Sequence, residues 1–378
     1  MRSNLPKCLP PLFAMFLLTV TQPTHAGFRP SFSLDSCTWD ATHIVLVATT
    51  SEGDVFIVME SWKGDLKAGD TLRVPELKPD SDALPIPRYP EGDAFDHTDE
   101  SGVSGRIPRQ PVGSQIVLFL KQRQEKDASS QATNIQASGQ WQPASVYGGM
   151  KVSVVWIDGG QLFCFQQQMN PGPSALGRCW QRTQMDWPAL IGRIKDVLQT
   201  QDNLARVFRL EDRNARVEQL QAIVYGDVWY GARKEALKGL GKAGPSALPA
   251  IQQILDKPPV PYDSRDLIRA LAEAAGENAG NELNRRLRQN LDFWRSRGRS
   301  LKTGWWNQNA TPDAPLRVKY DETIELVRAL DHERYRPATR TAAELRDFWL
   351  SLPQLNDPSG LNQMAHECDY LVKHLSAE

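Results

Sequence analysis

Three groups of residues have the types and spacing that chemistry would need. Gly239-Leu240-Gly241-Lys242-Ala243-Gly244 matches the glycine spacing of a dinucleotide-binding turn. That chemistry requires the glycines to lie between a strand and a helix whose N-terminus receives the pyrophosphate. Here they follow an apolar, Ala/Leu-rich stretch, so they read as a helix C-terminus where glycine supplies a left-handed residue. Asp93, Asp96, His97, Asp99 and Glu100 could offer oxygen ligands to Ca²⁺, but their spacing is not that of an EF-hand loop. A solvated acidic loop accounts for them. His366, Glu367, Cys368, Asp369 and His374 gather ligand types without HExxH or Cys-x-x-Cys spacing, which suits an amphipathic helix.

Nucleophilic catalysis finds little support. Gly102-Val103-Ser104-Gly105 is one residue short of a G-x-S-x-G elbow, and none of His43, His97, His332, His366 or His374 lies in a catalytic phrase. The sequence therefore assigns no catalytic residue, no metal ligand and no cofactor. A binding constellation is better formed. Arg285, Arg286, Arg288, Arg295, Arg297, Arg299 and Lys302 surround Trp294, and Trp305-Trp306 follow. Guanidinium groups beside flat rings suit an anionic or carbohydrate partner; the bland alternative is a solvated helix face with tryptophans packed beneath a loop. Arg285, Arg288, Trp294, Arg295, Arg297, Arg299, Trp305 and Trp306 are the candidate binding residues.

These residues follow two similar stretches. VWYGARKEALKGLGKAGPSALPAIQQILDK and YDSRDLIRALAEAAGENAGNELNRRLRQNL each read as two helices broken at a short turn, about 34 residues apart. Ala236, Leu237 and Leu240 end one helix, and Leu248, Ile251 and Leu255 face back; Ala270, Leu271 and Ala274, then Leu283 and Leu287, repeat the pattern. This resembles HEAT-type repeats, which implies antiparallel helix pairs sharing a core. Further helices are expected before the repeats, from Trp187, and after them to the C-terminus.

The chain up to about Trp180 reads as β. THIVLVATT and DVFIVMESW, joined by Ser-Glu-Gly, form a hairpin signal; SQIVLFLKQ follows, and MKVSVVWI and QLFCFQQ flank Asp158-Gly159-Gly160. A polar insertion rich in Pro, Gly and Asp, residues 79–111, interrupts them. The segment from Ala41 to Lys121, with Cys37, HIVLVATT, VFIVMESWKGDLKAGD and GSQIVLFL, resembles the netrin-like, tissue-inhibitor-of-metalloproteinases family. The resemblance implies an OB-like barrel over roughly 80 residues. The family's inhibitory N-terminal cysteine is not matched, because Cys37 lies beyond the expected mature terminus and no Cys-x-Cys is present.

Residues 1–26 read as a signal peptide, with Arg2 and Lys7 before the apolar core Leu12–Val20 and a cleavage point after Ala26. Export would leave Cys37, Cys164, Cys179 and Cys368 in an oxidising compartment. Four cysteines allow three pairings. Cys164–Cys179, flanking a turn-rich loop, is the preferred bridge; Cys37–Cys368 would be a long-range pair, which sequence does not reveal. The net charge of −1 offers no global attraction to nucleic acid, and no other apolar run is long enough to span a membrane.

The expectation is thus a multidomain α+β protein: a small OB/netrin-like β-barrel over residues 27–183, then an all-α HEAT-like solenoid over 186–378. It would be periplasmic or secreted and non-enzymatic, binding a protein or envelope polymer. The alternatives are an exported hydrolase with a site between the domains, which would use the acidic insertion, or a TIMP-like protease inhibitor.

Overall fold

The structure, a computed structural model, describes residues 32–79, 110–122, 141–144, 153–169, 176–183, 185–259, 263–297, 314–352 and 362–377. The expected leader and most of the polar insertion lie outside these residues. So do Arg299, Lys302, Trp305 and Trp306.

A short helix, α1 (Leu34–Asp40), opens the described chain with the Ser33 hydroxyl accepting from the Ser36 N–H. Eight strands follow: β1 (His43–Thr49), β2 (Val55–Lys63), β3 (Thr71–Arg73), β4 (Gln115–Gln122), β5 (Trp141–Pro143), β6 (Val154–Asp158), β7 (Gln161–Met169) and β8 (Leu176–Arg182). They form one antiparallel sheet in the order β3-β2-β1-β4-β6-β7-β8, with β5 added to β4. Glycines make the tight hairpin between β6 and β7, where Gly159 and Gly160 have φ of 55° and 78°.

β3 and β8 are the ends of the path, so the sheet is open and the expected closed barrel is not formed. The strands are instead covered on two faces. Val45, Val47, Phe56, Val58, Ile116, Leu118 and Trp156 belong to one core. Their alternates Ile44, Leu46, Val117, Phe119, Val155 and Leu162 belong to another, beneath α1 and the next helix. Burial on both faces explains why β1 and β4 read as nearly continuous apolar runs rather than alternating ones.

Nine helices make up the remainder of the described chain: α2 (Trp187–Phe208), α3 (Arg213–Tyr225), α4 (Tyr230–Lys242), α5 (Leu248–Asp256), α6 (Ser264–Ala275), α7 (Ala279–Arg297), α8 (Ala314–His332), α9 (Ala338–Leu350) and α10 (Gln363–Ser376). Asp186 caps α2 by accepting from Ala189 N–H, and Pro188 occupies its first turn. Besides its sequence neighbours, α4 touches α6, α6 touches α8 and α8 touches α10; on the other side α3 touches α5 and α7 touches α9. One core runs through this stack from Leu204 to Leu375.

The glycine motif belongs to this packing. Gly244, with φ of 74°, ends the α4 segment, while a Cβ on Gly239 would stand 2.6 Å from the Phe208 ring and one on Gly241 2.7 Å from Glu273. The motif lets α4 approach its neighbours and turn, with no strand before it.

The change from strands to helices falls where the sequence places it, yet α2 belongs to both regions. Leu190 and Ile194 in its first half pack into the sheet core, and Leu204 and Val207 in its second half pack into the helical core. Trp39 of α1 reciprocates by packing on the helical core, with its ring 5.5 Å from that of Trp229. Arg193 grips Asp35 with two hydrogen bonds of 2.6 and 2.9 Å. Lys63 Nζ donates to Thr38 O and Gln201 Oε1, and Gln201 Nε2 donates to Trp39 O.

Candidate functional site

The arginine-rich helix α7 has two faces of opposite character. Leu283, Leu287, Leu291 and Trp294 are buried in the helical core. Arg285, Arg288, Asp292 and Arg295 recur at helical spacing on the exposed side. Arg285 binds Glu282 at 2.8 Å, Arg288 Nε donates to Thr341 Oγ1 at 3.3 Å, and Arg295 binds Glu344 at 2.9 Å. The hydrogen bond from Arg295 holds the Glu344 carboxyl below its ordinary range. Arg297 is exposed at the end of the helix.

Trp294 departs from the expected contact role. Its side chain is 0% exposed, it packs against Trp349 and Tyr320, and its Nε1 donates to Thr323 Oγ1 at 3.1 Å. An indole with its one donor satisfied inside the core positions the helix and does not meet a ligand.

Beneath the arginine face lies a charged network. Glu322 of α8 is 0% exposed and accepts from Arg286 Nε at 2.7 Å, Lys319 Nζ at 2.9 Å and Asn290 Nδ2 at 3.0 Å. Arg286 also holds Asp256 at 2.6 Å, which joins α5 to the assembly. With a second, longer bond of 3.4 Å from the Arg286 guanidinium, four N–H donors on three side chains surround one buried carboxylate, which satisfies it without water. A cleft of roughly 280 Å³ opens above this network, lined by Gln252, Arg285, Arg286, Gln289, Phe293 and Lys319 among others. Planar amides, cations and one aromatic face make it suitable for an acidic or hydroxyl-rich group.

Two arrangements give no local sequence signal. His43 Nε2 lies 2.7 Å from Asp65 Oδ1 and its Nδ1 3.0 Å from Thr42 Oγ1, the connectivity of a hydroxyl–imidazole–carboxylate relay. The Thr42 hydroxyl, however, also donates to Leu120 O at 3.2 Å, which commits its proton to the backbone. Asp65 is 93% exposed, and Gly64, with φ of 92°, lies against the imidazole. The ring pins the β2–β3 turn to β1, and the His43 hydrogen bond lowers the Asp65 pKa.

The second is a cleft of roughly 490 Å³ between the starts of α4 and α6, the body of α8 and the start of α10. Tyr230 O–H donates to Asp266 at 2.7 Å, with Asp263 at 3.2 Å; burial, then these carboxylates, raise the phenol's pKa. Asp321, bound by Arg317 at 3.1 Å, is raised above its ordinary value by burial. Only the stacking of helices far apart in sequence brings these groups together.

At the C-terminus, Cys368 is buried in α10, Glu367 binds Arg328, Asp369 binds Arg346 and Lys373, and His374 binds Asp331. These ligand types serve helix packing. Among the described residues, no group of His, Cys, Asp or Glu is arranged to hold a metal ion, and no helix is long and apolar enough to cross a membrane. Asp93, Asp96, His97, Asp99 and Glu100 lie outside the described residues.

Comparison of the chain with protein-family models, with curated proteins and with solved structures finds no match.

Proposed function

We propose that this is an exported binding or scaffold protein, non-enzymatic, with an OB/netrin-like sheet domain and a HEAT-like helical stack. Its partner is a protein or envelope polymer that carries acidic groups. The observation behind this reading is the α7 face, where Arg285, Arg288 and Arg295 stand outward at helical spacing over an anchored, buried side. Guanidinium groups held in place by Glu282, Thr341 and Glu344 lose less side-chain freedom on meeting a ligand than loose ones would.

Affinity capture from an envelope extract tests this, using the mature protein and an R285A/R288A/R295A variant at two salt concentrations. A specific partner should be retained by the first, lost by the variant and weakened by salt. Equal capture by both proteins would sink the role of α7.

A hydrolase is the second reading, and Asp321 in the larger cleft favours it. A carboxyl with a raised pKa beside a Tyr hydroxyl network is suited to donating a proton. Turnover of a generic ester, peptide or glycoside panel, abolished by D321N, would move the assignment there.

A further inference from the structure

The cysteine pairing can be argued from the sheet register. Cys37 of α1 is 4% exposed and belongs to the same core as Ile44, Val117, Val155 and Leu162. Cys164 of β7 is 1% exposed. It lies two residues beyond Leu162, so strand alternation puts both on the same face, and it stands opposite Val155 of β6. Ser153, two residues before Val155, is a hydrogen-bond partner of the Cys37 thiol. Cys37 therefore sits over the patch of sheet formed by Ser153, Val155 and Leu162, and Cys164 belongs to that patch.

The other pairings fit less well. In the β7–β8 register Cys164 faces Gln181 and Cys179 faces Gln166, so Cys164 and Cys179 are diagonal neighbours. Diagonal Cα atoms in an antiparallel pair are about 7–8 Å apart, wider than the roughly 4.4–6.8 Å a disulfide spans. Cys368 lies in the helical core and Cys37 in the sheet core, which separates that pair.

We propose that Cys37 and Cys164 form a disulfide that ties α1 to β7. The two Sγ atoms join with release of two protons and two electrons. A disulfide oxidant, oxidised glutathione or a thiol–disulfide oxidoreductase, accepts the electrons and is reduced to thiols. In the structure both cysteines are in the thiol form; the shared patch of sheet argues for which two pair, and the bridge's presence in the cell rests on the export reading. Burial pushes the Cys37 thiol up to about 12, so little thiolate exists in the folded dithiol form. Oxidation therefore proceeds in an open state during folding, and the folded reduced protein resists it.

The test is to refold the full chain from denaturant in a glutathione redox buffer, return it to denaturant with iodoacetamide so that every free thiol, buried ones included, is blocked, and map peptides without reduction. A linked peptide containing Cys37 and Cys164 is expected, with Cys368 alkylated. The C179S/C368S variant should give the same link, and this arm does not depend on whether C37S or C164S folds. A Cys164–Cys179 link, or alkylation of both Cys37 and Cys164, would overturn the proposal. A link formed on refolding but missing from protein purified from cells would count against export and leave the pairing standing.

Discussion

The sheet and the helical stack bury their chains in different ways. The sheet divides its apolar residues between two cores on opposite faces, and its central pair, β1 and β4, joins segments separated by the whole polar insertion. The stack has one continuous core assembled from sequence neighbours and next-but-one helices. Charge is handled differently as well. Among the described residues the sheet region buries His43 and Asp54, whereas the stack encloses the ion pair of Arg286 and Glu322 between α7 and α8. A sheet whose pairing is non-local should open as a unit, while a stack held by near neighbours can loosen locally.

That contrast can be broken most forcefully at Arg286. Arg286→Met leaves Glu322 buried without its main partner and should destabilise α5, α7 and α8 by about 3–5 kcal/mol. Hydrogen exchange should show lost protection in those helices and retained protection in β1 and β4. Uniform loss across both regions would show that the two unfold together. Gly280→Ala comes next, because its Cβ would stand 2.1 Å from the Tyr335 ring. Overpacking there should cost about 1–3 kcal/mol, read from the urea midpoint with an unchanged m-value.

Smaller effects are expected at the junction and in the turns. Arg193→Ala removes the two bonds to Asp35 across the regions, and the partly exposed pair should cost no more than about 1 kcal/mol. A much larger loss, or separate melting of sheet and stack, would mean that this pair rather than α2 couples them. The carboxyls of Asp65 and Glu344 titrate below their ordinary 3.8 and 4.5 in the folded protein, through hydrogen bonds from His43 and from Arg295 and Arg340 respectively. A folded pKa below the unfolded one stabilises above the unfolded value, and that contribution fades as pH falls through the folded value. Thermal scans should show a loss of stability that begins below about pH 4.5 and is smaller in D65N.

The stack was the more legible region. The Ala236–Leu240 and Ala270–Ala274 periodicities placed α4 and α6 directly, and Gly244 and Gly276 turned the chain where their φ values of 74° and 56° require glycine. In the sheet, strand residues were readable but closure was not, because apolar runs buried on two faces look alike whether a sheet curls into a barrel or lies under helices. The α7 arginines were visible as a cluster, yet the burial of Trp294 depends on Trp349 and Thr323, which come from other helices. His43–Asp65 and Tyr230–Asp266 went unseen for the same reason: each joins residues with no periodic relation.

The double membership of α2 has a metrical consequence. At about 1.5 Å per residue its 22 residues form a rod of about 33 Å, seated at one end in the sheet and at the other in the stack. On the binding reading proposed above, a ligand held at α7 and one held at the sheet would be spaced by this rod as by a caliper, and two ligands spaced to fit it would gain from simultaneous engagement.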